Sequence, residues 1–166
     1  MTLKPILHWP DPRLSQRCEP VTEWDDGLRV LAEDMLETMY DAPGRGLAGP
    51  QIGVMQRIFV MDTVWKEAPA EPVVVTNPEI LSVSEETVLS EEGCLSIPGV
   101  MVPVERPAAI TLRWRDVDGV DVTRELTGFD ALCAQHELDH LDGIVTFDRT
   151  GPEQRADLEA AYAALA

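Results

Sequence analysis

The residues best suited to chemistry lie in the segment His136-Glu137-Leu138-Asp139-His140. Two of the three histidines in the chain stand four positions apart here, and a glutamate follows the first. Residues four apart lie on one face of a helix, about 6 Å apart along the axis, so both imidazoles can bind one metal ion. Glu137 would lie beside that face, where it could act on a water molecule without being a ligand. This HExxH spacing predicts a hydrolytic metal centre rather than two surface histidines.

A catalytic metal site ordinarily has three protein ligands and one open position, so two histidines are not sufficient. Cys94 is the candidate third ligand, because a thiolate binds metals strongly and Gly93 lets the backbone approach closely. Two alternatives remain for Cys94, namely an inert buried thiol and a nucleophile with a histidine base. The nucleophile hypothesis leaves the second histidine and Glu137 without roles. Cys133 lies one turn before the first histidine, where it can line the same site.

A glycine-rich segment, residues 43–51, is predicted to be a loop without regular secondary structure. It lacks the Lys-Ser/Thr pair of a phosphate-binding loop, and its glycine spacing differs from that of a dinucleotide-binding turn. The segment ends at Gln51, whose side-chain amide could donate a hydrogen bond to a developing oxyanion. Gln51 is therefore a second candidate for a catalytic role.

The elements that must position these residues indicate an α+β fold. Residues 1–24 contain four prolines and are expected to be extended and irregular. Apolar periodicity or the absence of Gly and Pro predicts helices over 25–41, 129–141 and 152–164. β-branched and bulky residues predict strands over 57–62, 73–76, 110–117 and 120–126, the last two joined at Asp118-Gly119. We expect mostly antiparallel strands packed around a central metal-binding helix, with further helices at the two ends of the chain.

Composition narrows the possible functions. A chain of 166 residues fits a single catalytic domain spanning 1–166. The net charge of -17 disfavours binding to DNA or to a membrane surface, and no apolar stretch approaches the length of a membrane span. Three cysteines are too few for a disulfide framework, which favours a reducing, cytoplasmic location. Nothing in the sequence demands more than a monomer.

Three segments together resemble the signature motifs of the peptide deformylases, and they occur in the same order. They are Gly44-Arg45-Gly46-Leu47-Ala48-Gly49-Pro50-Gln51, Glu92-Gly93-Cys94-Leu95-Ser96 and Gln135-His136-Glu137-Leu138-Asp139-His140. The resemblance extends from Ile6 to Arg149. It implies removal of the N-formyl group from N-formylmethionyl peptides during protein biosynthesis, with Fe2+ as the usual metal and Zn2+, Ni2+ or Co2+ as substitutes.

The same resemblance assigns roles to individual residues. It makes Cys94, His136 and His140 the metal ligands and Glu137 the general acid and base. Gln51 and the backbone N–H of Leu95 would stabilise the oxyanion. The pocket for the methionine side chain would be formed by Phe129, Leu132 and Cys133, and Gly46 and Glu92 would border it.

Several positions depart from the family pattern. Arg45 replaces an apolar residue at the mouth of the pocket, Gly49 replaces an alanine, and Met101 replaces a basic residue that often holds the substrate backbone. Arg45 could bind a substrate carboxylate or simply point into solvent. Residues 153–166 hold three acids and one arginine, whereas related enzymes often end in a basic helix that docks on the ribosome. A transient ribosome contact therefore has little support in this sequence.

Two other functions fit part of these observations. A deformylase-like paralogue that binds metal and peptide with little turnover is suggested by Arg45 and Met101. A small zinc peptidase is suggested by the HExxH spacing, but the upstream cysteine ligand and the short chain disfavour it.

Overall fold

A computed structural model describes residues 2–165, and its helices and strands confirm the α+β class. The regular elements are α1 (Asp26–Asp41), β1 (Gly46–Ala48), β2 (Ile58–Met61), β3 (Val73–Val83), β4 (Thr87–Cys94), β5 (Ile97–Pro107), β6 (Ala109–Arg115), β7 (Asp121–Thr127), α2 (Gly128–Leu141) and α3 (Pro152–Ala163). Short 3-10 helices occur at Pro12–Ser15, Gly49–Ile52 and Thr146–Arg149. Across residues 2–165, the helices are too short or too polar to cross a membrane.

A five-stranded antiparallel sheet, ordered β1-β2-β3-β6-β7, separates α1 from α2. Successive side chains of a strand point to opposite faces, and β2 is buried on both. Ile58 and Val60 pack with the apolar residues of α1, whereas Phe59 and Met61 pack with those of α2. The continuous apolar run in β2 therefore reflects a strand covered by a helix on each side.

The first helix follows its sequence pattern closely. Asp25 caps its N-terminus, because the carboxylate accepts a hydrogen bond from Leu28 N at 3.0 Å. Leu28, Met35 and Met39 lie on the face that packs on the sheet. The helix predicted over 25–41 is therefore confirmed.

A second sheet, the hairpin formed by β4 and β5, was not predicted from the sequence. Val102 and Val104 on its buried face pack with Phe147, and α3 adds Leu158 and Tyr162 to this cluster. The prediction of no regular structure over residues 43–51 was wrong as well. β1 pairs with β2 there, and a 3-10 helix follows directly.

The central helix α2 ends in a tightly packed turn. Gly143 has a φ of 75°, and a Cβ atom there would lie 2.8 Å from the backbone of Ser15. The Arg57 guanidinium donates to the Leu141 carbonyl oxygen at 2.9 Å and to the Asp142 carboxylate at 2.9 Å. The buried Arg57 guanidinium thus gives a hydrogen-bond partner to a carbonyl group at the C-terminus of α2, the helix that carries both histidines of the HExxH segment.

Candidate metal centre

The three ligands expected from the sequence meet between the two sheets. Cys94 ends β4, and His136 and His140 lie on one face of α2. One ligand atom from each residue lies within 4.8 Å of the other two, and Cys94 Sγ is 3.4 Å from His140 Nε2. Bonds of about 2.3 Å to sulfur and 2.0–2.1 Å to nitrogen put tetrahedral ligand atoms about 3.5 Å apart. The donor set and its spacing therefore fit one four-coordinate divalent ion with an open position.

The orientation of His136 is set by Glu92. His136 Nδ1 lies 2.9 Å from Glu92 Oε1, so a proton on Nδ1 leaves Nε2 free for a metal. Glu92 in turn accepts two hydrogen bonds from Arg106, at 2.6 and 2.9 Å. Burial alone would raise the pKa of Glu92, but Arg106 and His136 outweigh it and lower that pKa to about 2. Glu92 therefore stays ionised and holds the imidazole in place.

Arg106 extends this network beneath the site. It is 4% exposed and donates to Asp139 at 2.9 Å, and Arg149 donates to the same carboxylate at 2.6 and 3.0 Å. Two guanidinium groups thus alternate with two carboxylates. Arg106 and Arg149 were not predicted from the sequence, because isolated arginines belong to no recognisable motif. Asp139 lies within the HExxH segment, three residues after the first histidine. This buried acidic residue was the one feature of the sequence that could have indicated a nearby arginine.

Glu137 is buried beside the ligand cluster formed by Cys94, His136 and His140. It is 4% exposed, and its Oε2 has no hydrogen-bond partner among the residues that the structure describes. Its Oε1 lies 4.0 Å from His136 Nε2. Burial raises the pKa of Glu137 to about 7. A carboxylate with a free oxygen and a pKa near neutrality is suited to both accepting and returning a proton.

The side-chain amide of Gln51 has a fixed orientation next to the ligand cluster. Its Oε1 accepts a hydrogen bond from Ala48 N at 2.9 Å, so its amino group points the opposite way. That amino group donates to Ser96 Oγ at 3.0 Å and lies 3.6 Å from Cys94 Sγ. Leu95 lies in the tight turn between β4 and β5, directly after the cysteine. Gln51 and Leu95 both line the cavity beside the ligand cluster.

That cavity has a volume of about 750 Å3 and opens to solvent. The structure places every residue expected in the methionine pocket on its wall, namely Gly46, Glu92, Phe129, Leu132 and Cys133. Cys133 is buried, whereas the Phe129 ring is half exposed at the mouth. Arg45, Lys66 and Met101 also line the cavity, so the positions that depart from the family pattern border the same space as the ligands.

The Arg45 side chain does not point freely into solvent. Its guanidinium donates to Glu67 at 2.6 and 3.2 Å and to the Thr63 carbonyl oxygen at 2.6 Å. It also lies 5.5 Å from the centroid of the Phe129 ring. Arg45 therefore lies on the cavity lining, and its guanidinium forms an ion pair with Glu67 of the same chain.

The family model for polypeptide deformylase matches residues 3–156. The chain belongs to this family. A peptide deformylase from Rhizobium meliloti (strain 1021) is 49% identical over 148 residues, which are 89% of this chain and 85% of that protein. A peptide deformylase-like protein from Brucella melitensis biotype 1 is 44% identical and covers 99% of both chains. The crystal structure of a peptide deformylase from Legionella pneumophila superposes with a TM-score of 0.92 at 38% identity, covering 99% of this chain and 95% of that one.

Family membership makes this deformylase a metal-dependent hydrolase that acts on the formyl amide bond at the N-terminus of peptides. It also accounts for the cluster of Cys94, His136 and His140 as the place where a metal would bind.

Proposed function

We propose that this deformylase removes the formyl group from the N-terminal formylmethionine of newly synthesised peptides, using an ion held by Cys94, His136 and His140. The observation that carries this proposal is the position of Glu137. Its buried carboxylate has one oxygen without a hydrogen-bond partner among residues 2–165. It lies beside Cys94, His136 and His140, at the wall of a cavity large enough for a methionine side chain.

We propose Fe2+ as the native ion, with Zn2+, Ni2+ or Co2+ able to substitute. One thiolate and two imidazoles suit each of these borderline ions. When bound, such an ion supplies Lewis-acid activation of water and of the formyl oxygen. The test is the half-life of activity under oxygen. The iron form should lose activity faster than the zinc form, because iron and its thiolate ligand are both open to oxidation. Equal half-lives would argue against iron.

Glu137 acts as the proton carrier in this proposal. Its carboxylate takes the proton of the attacking water and later returns it to the amine that leaves. Burial raises the pKa of Glu137 above the ordinary value of a carboxylic acid, which favours its taking and returning a proton. Because the carboxylate does not contribute to the ligand cluster, the same group is available at each step.

Gln51 and the backbone N–H of Leu95 stabilise the oxyanion that forms on the formyl oxygen. The fixed amide of Gln51 supports this role, since its amino group already lies beside Cys94 Sγ. Preorganised donors of this kind cost no reorganisation during the reaction, and each typically contributes about 10²–10³-fold in rate. The methionine side chain occupies the pocket lined by Leu132, Cys133 and Phe129, which Gly46 and Glu92 border. Glu92 also orients His136.

We further propose that residues 1–166 form one catalytic domain that works as a monomer in the cytoplasm. The match of the family model to residues 3–156 supports the single domain, and three free cysteines are consistent with a reducing compartment. Contact with the ribosome gains no support from α3, which carries Glu153, Asp157 and Glu159 against one arginine.

The deciding experiment is a turnover assay on formyl-Met-Ala-Ser with the iron-loaded protein, using peptides without a formyl group as controls. Release of formate with no cleavage of internal bonds supports the proposal.

A second function, binding of metal and peptide with little turnover, is motivated by the full-length likeness to a protein named deformylase-like. Tight binding of the formyl peptide by a fully loaded protein that releases no formate would favour that second function.

A further inference from the structure

Two cations, Arg45 and Lys66, line the mouth of the cavity in a protein whose net charge is -17. Lys66 is exposed, and its ammonium group lies 5.6 Å from the Trp65 ring. Trp65 Nε1 donates to the Gly44 carbonyl oxygen at 2.9 Å, which ties the segment that carries Lys66 to the glycine-rich wall of the cavity. Both cations therefore lie on the wall of the cavity next to the ligand cluster, where Glu91, Glu92 and Glu137 are the acidic lining residues.

Glu67 occupies the fork of the Arg45 guanidinium in a bidentate arrangement, with bonds of 2.6 and 3.2 Å. The Glu67 side chain is 64% exposed, whereas that of Arg45 is 28% exposed. An exposed ion pair contributes little stability, so another carboxylate can take the place of Glu67. The guanidinium would stay in position when Glu67 leaves, because the Thr63 carbonyl oxygen and the Phe129 ring hold it from other sides.

We propose that Arg45 and Lys66 form a carboxylate-binding site at the cavity mouth, and that Glu67 occupies this site when no substrate is bound. The ligand is an acidic side chain one or two residues after the formylmethionine of the substrate. Glu67 is thus a specificity-determining residue, because its competition for Arg45 sets how strongly acidic peptides are favoured. This inference rests on the proposed deformylase function and names part of its substrate preference.

The test compares peptides that differ only in charge, formyl-Met-Glu-Ala-amide and formyl-Met-Ala-Glu-amide against their glutamine counterparts. The measured quantity is the ratio of kcat/KM for the Glu peptide to that for the Gln peptide, at low salt and at about 1 M salt. The variants are Glu67→Gln and the double variant Glu67→Gln with Arg45→Gln. Glu153→Gln, on exposed α3, is the matched control, since it changes the net charge equally at a residue that does not line the cavity.

We expect Glu67→Gln to raise the ratio about two- to fivefold at low salt for one of the two Glu peptides, mainly through KM. The rise should fade at about 1 M salt, where the Debye length is about 3 Å. The double variant should lose the rise, and Glu153→Gln should not show it. An unchanged ratio in Glu67→Gln overturns the proposal, and so does a rise that persists without Arg45.

Failure of the proposed function gives a different result, namely no formate from any peptide in the wild-type protein. The carboxylate site is then judged by fluorescence anisotropy, using labelled peptides with the same Glu and Gln sequences. The Kd for the Gln peptide divided by the Kd for the Glu peptide should rise in Glu67→Gln, and the double variant should lose that rise. Equal Kd ratios in all variants overturn the proposal independently of turnover.

Discussion

Replacing Gly46 with alanine tests how precisely the proton-carrying carboxylate must be held. A Cβ atom at this position would lie 2.6 Å from Glu137 Oε1 and 3.0 Å from Cys133 Sγ. Ordinary contacts need about 3.4 Å or more, so the carboxylate must move by roughly 0.8 Å. Glu137 is 4% exposed and lies on a buried helix, so the closely packed surroundings give it little room to move while keeping its place beside the ligands.

A misplacement of about 1 Å near the reacting atoms can lower a rate about 10²-fold, so we expect kcat for formyl-Met-Ala-Ser to fall roughly 30- to 100-fold. Metal content should stay at the wild-type level, because Glu137 is not one of the three ligands. The assay is formate release, with metal measured on the same samples. Gly151→Ala is the control, since a Cβ there meets nothing within 4 Å. A Gly46→Ala enzyme with full metal content and a kcat within about threefold of wild type would refute this reasoning.

Three other substitutions separate the remaining roles. Glu137→Gln should keep its metal while turnover falls about 10²–10⁴-fold, and metal loss from this variant would contradict the division of roles. Cys94→Ala should lose the ion during dialysis against a chelator that leaves the wild type loaded, because one of three ligands is gone. A Cys94→Ala protein that stays loaded and active would show that the thiolate is not a ligand. Arg106→Ala leaves the buried Glu92 carboxylate without its guanidinium partner and should lower the free energy of unfolding by about 3–5 kcal/mol in urea titrations at pH 7. A loss below about 1 kcal/mol would mean that the buried pair contributes little.

The helices could be predicted from the sequence because local patterns determine them. Apolar spacing and an N-terminal aspartate define α1, and the uninterrupted run 129–141 defines α2 to within one residue of its start. The HExxH spacing predicted that His136 and His140 share one helix face, and the resemblance to the peptide deformylases added Cys94 as their partner; the three residues lie together in the structure. Local sequence carries this information because the two histidines share one helix, so their relative position depends on helix geometry alone.

The second sheet could not be predicted, because its sequence argues against strands. β5 contains Pro98, Pro103 and Pro107, and proline in a strand removes a backbone donor. Within residues 2–165 this strand pairs with β4 alone, so its other edge makes no ladder hydrogen bonds there and can accept the prolines. β1 was missed for a related reason. Three residues of a glycine-rich segment become a strand only because β2 offers them a partner elsewhere in the chain.

The ion pairs of Arg45 and Arg106 likewise could not be predicted from sequence patterns. Arg45 meets Glu67 across 22 positions, and Arg106 meets Asp139 across 33. Arg45 lines the cavity, but the sequence suggested only a substrate carboxylate or solvent as its partner, whereas the structure shows Glu67. Long-range ion pairs depend on how separate elements pack. Glu67 could therefore be identified as the partner of Arg45 only in the folded structure.

The ligand cluster also draws on two parts of the molecule, which the Glu92–His136 and Arg106–Asp139 contacts already link. Cys94 belongs to the β4–β5 sheet, whereas His136 and His140 belong to the helix that covers the five-stranded sheet, and the cysteine and the second histidine are 46 positions apart. A bound ion therefore cross-links two layers, and at about 1,000 times its Kd it would add about 4 kcal/mol to the free energy of unfolding. Scarcity of the ion would then lower the abundance of the protein through unfolding and proteolysis, in addition to the rate of each molecule.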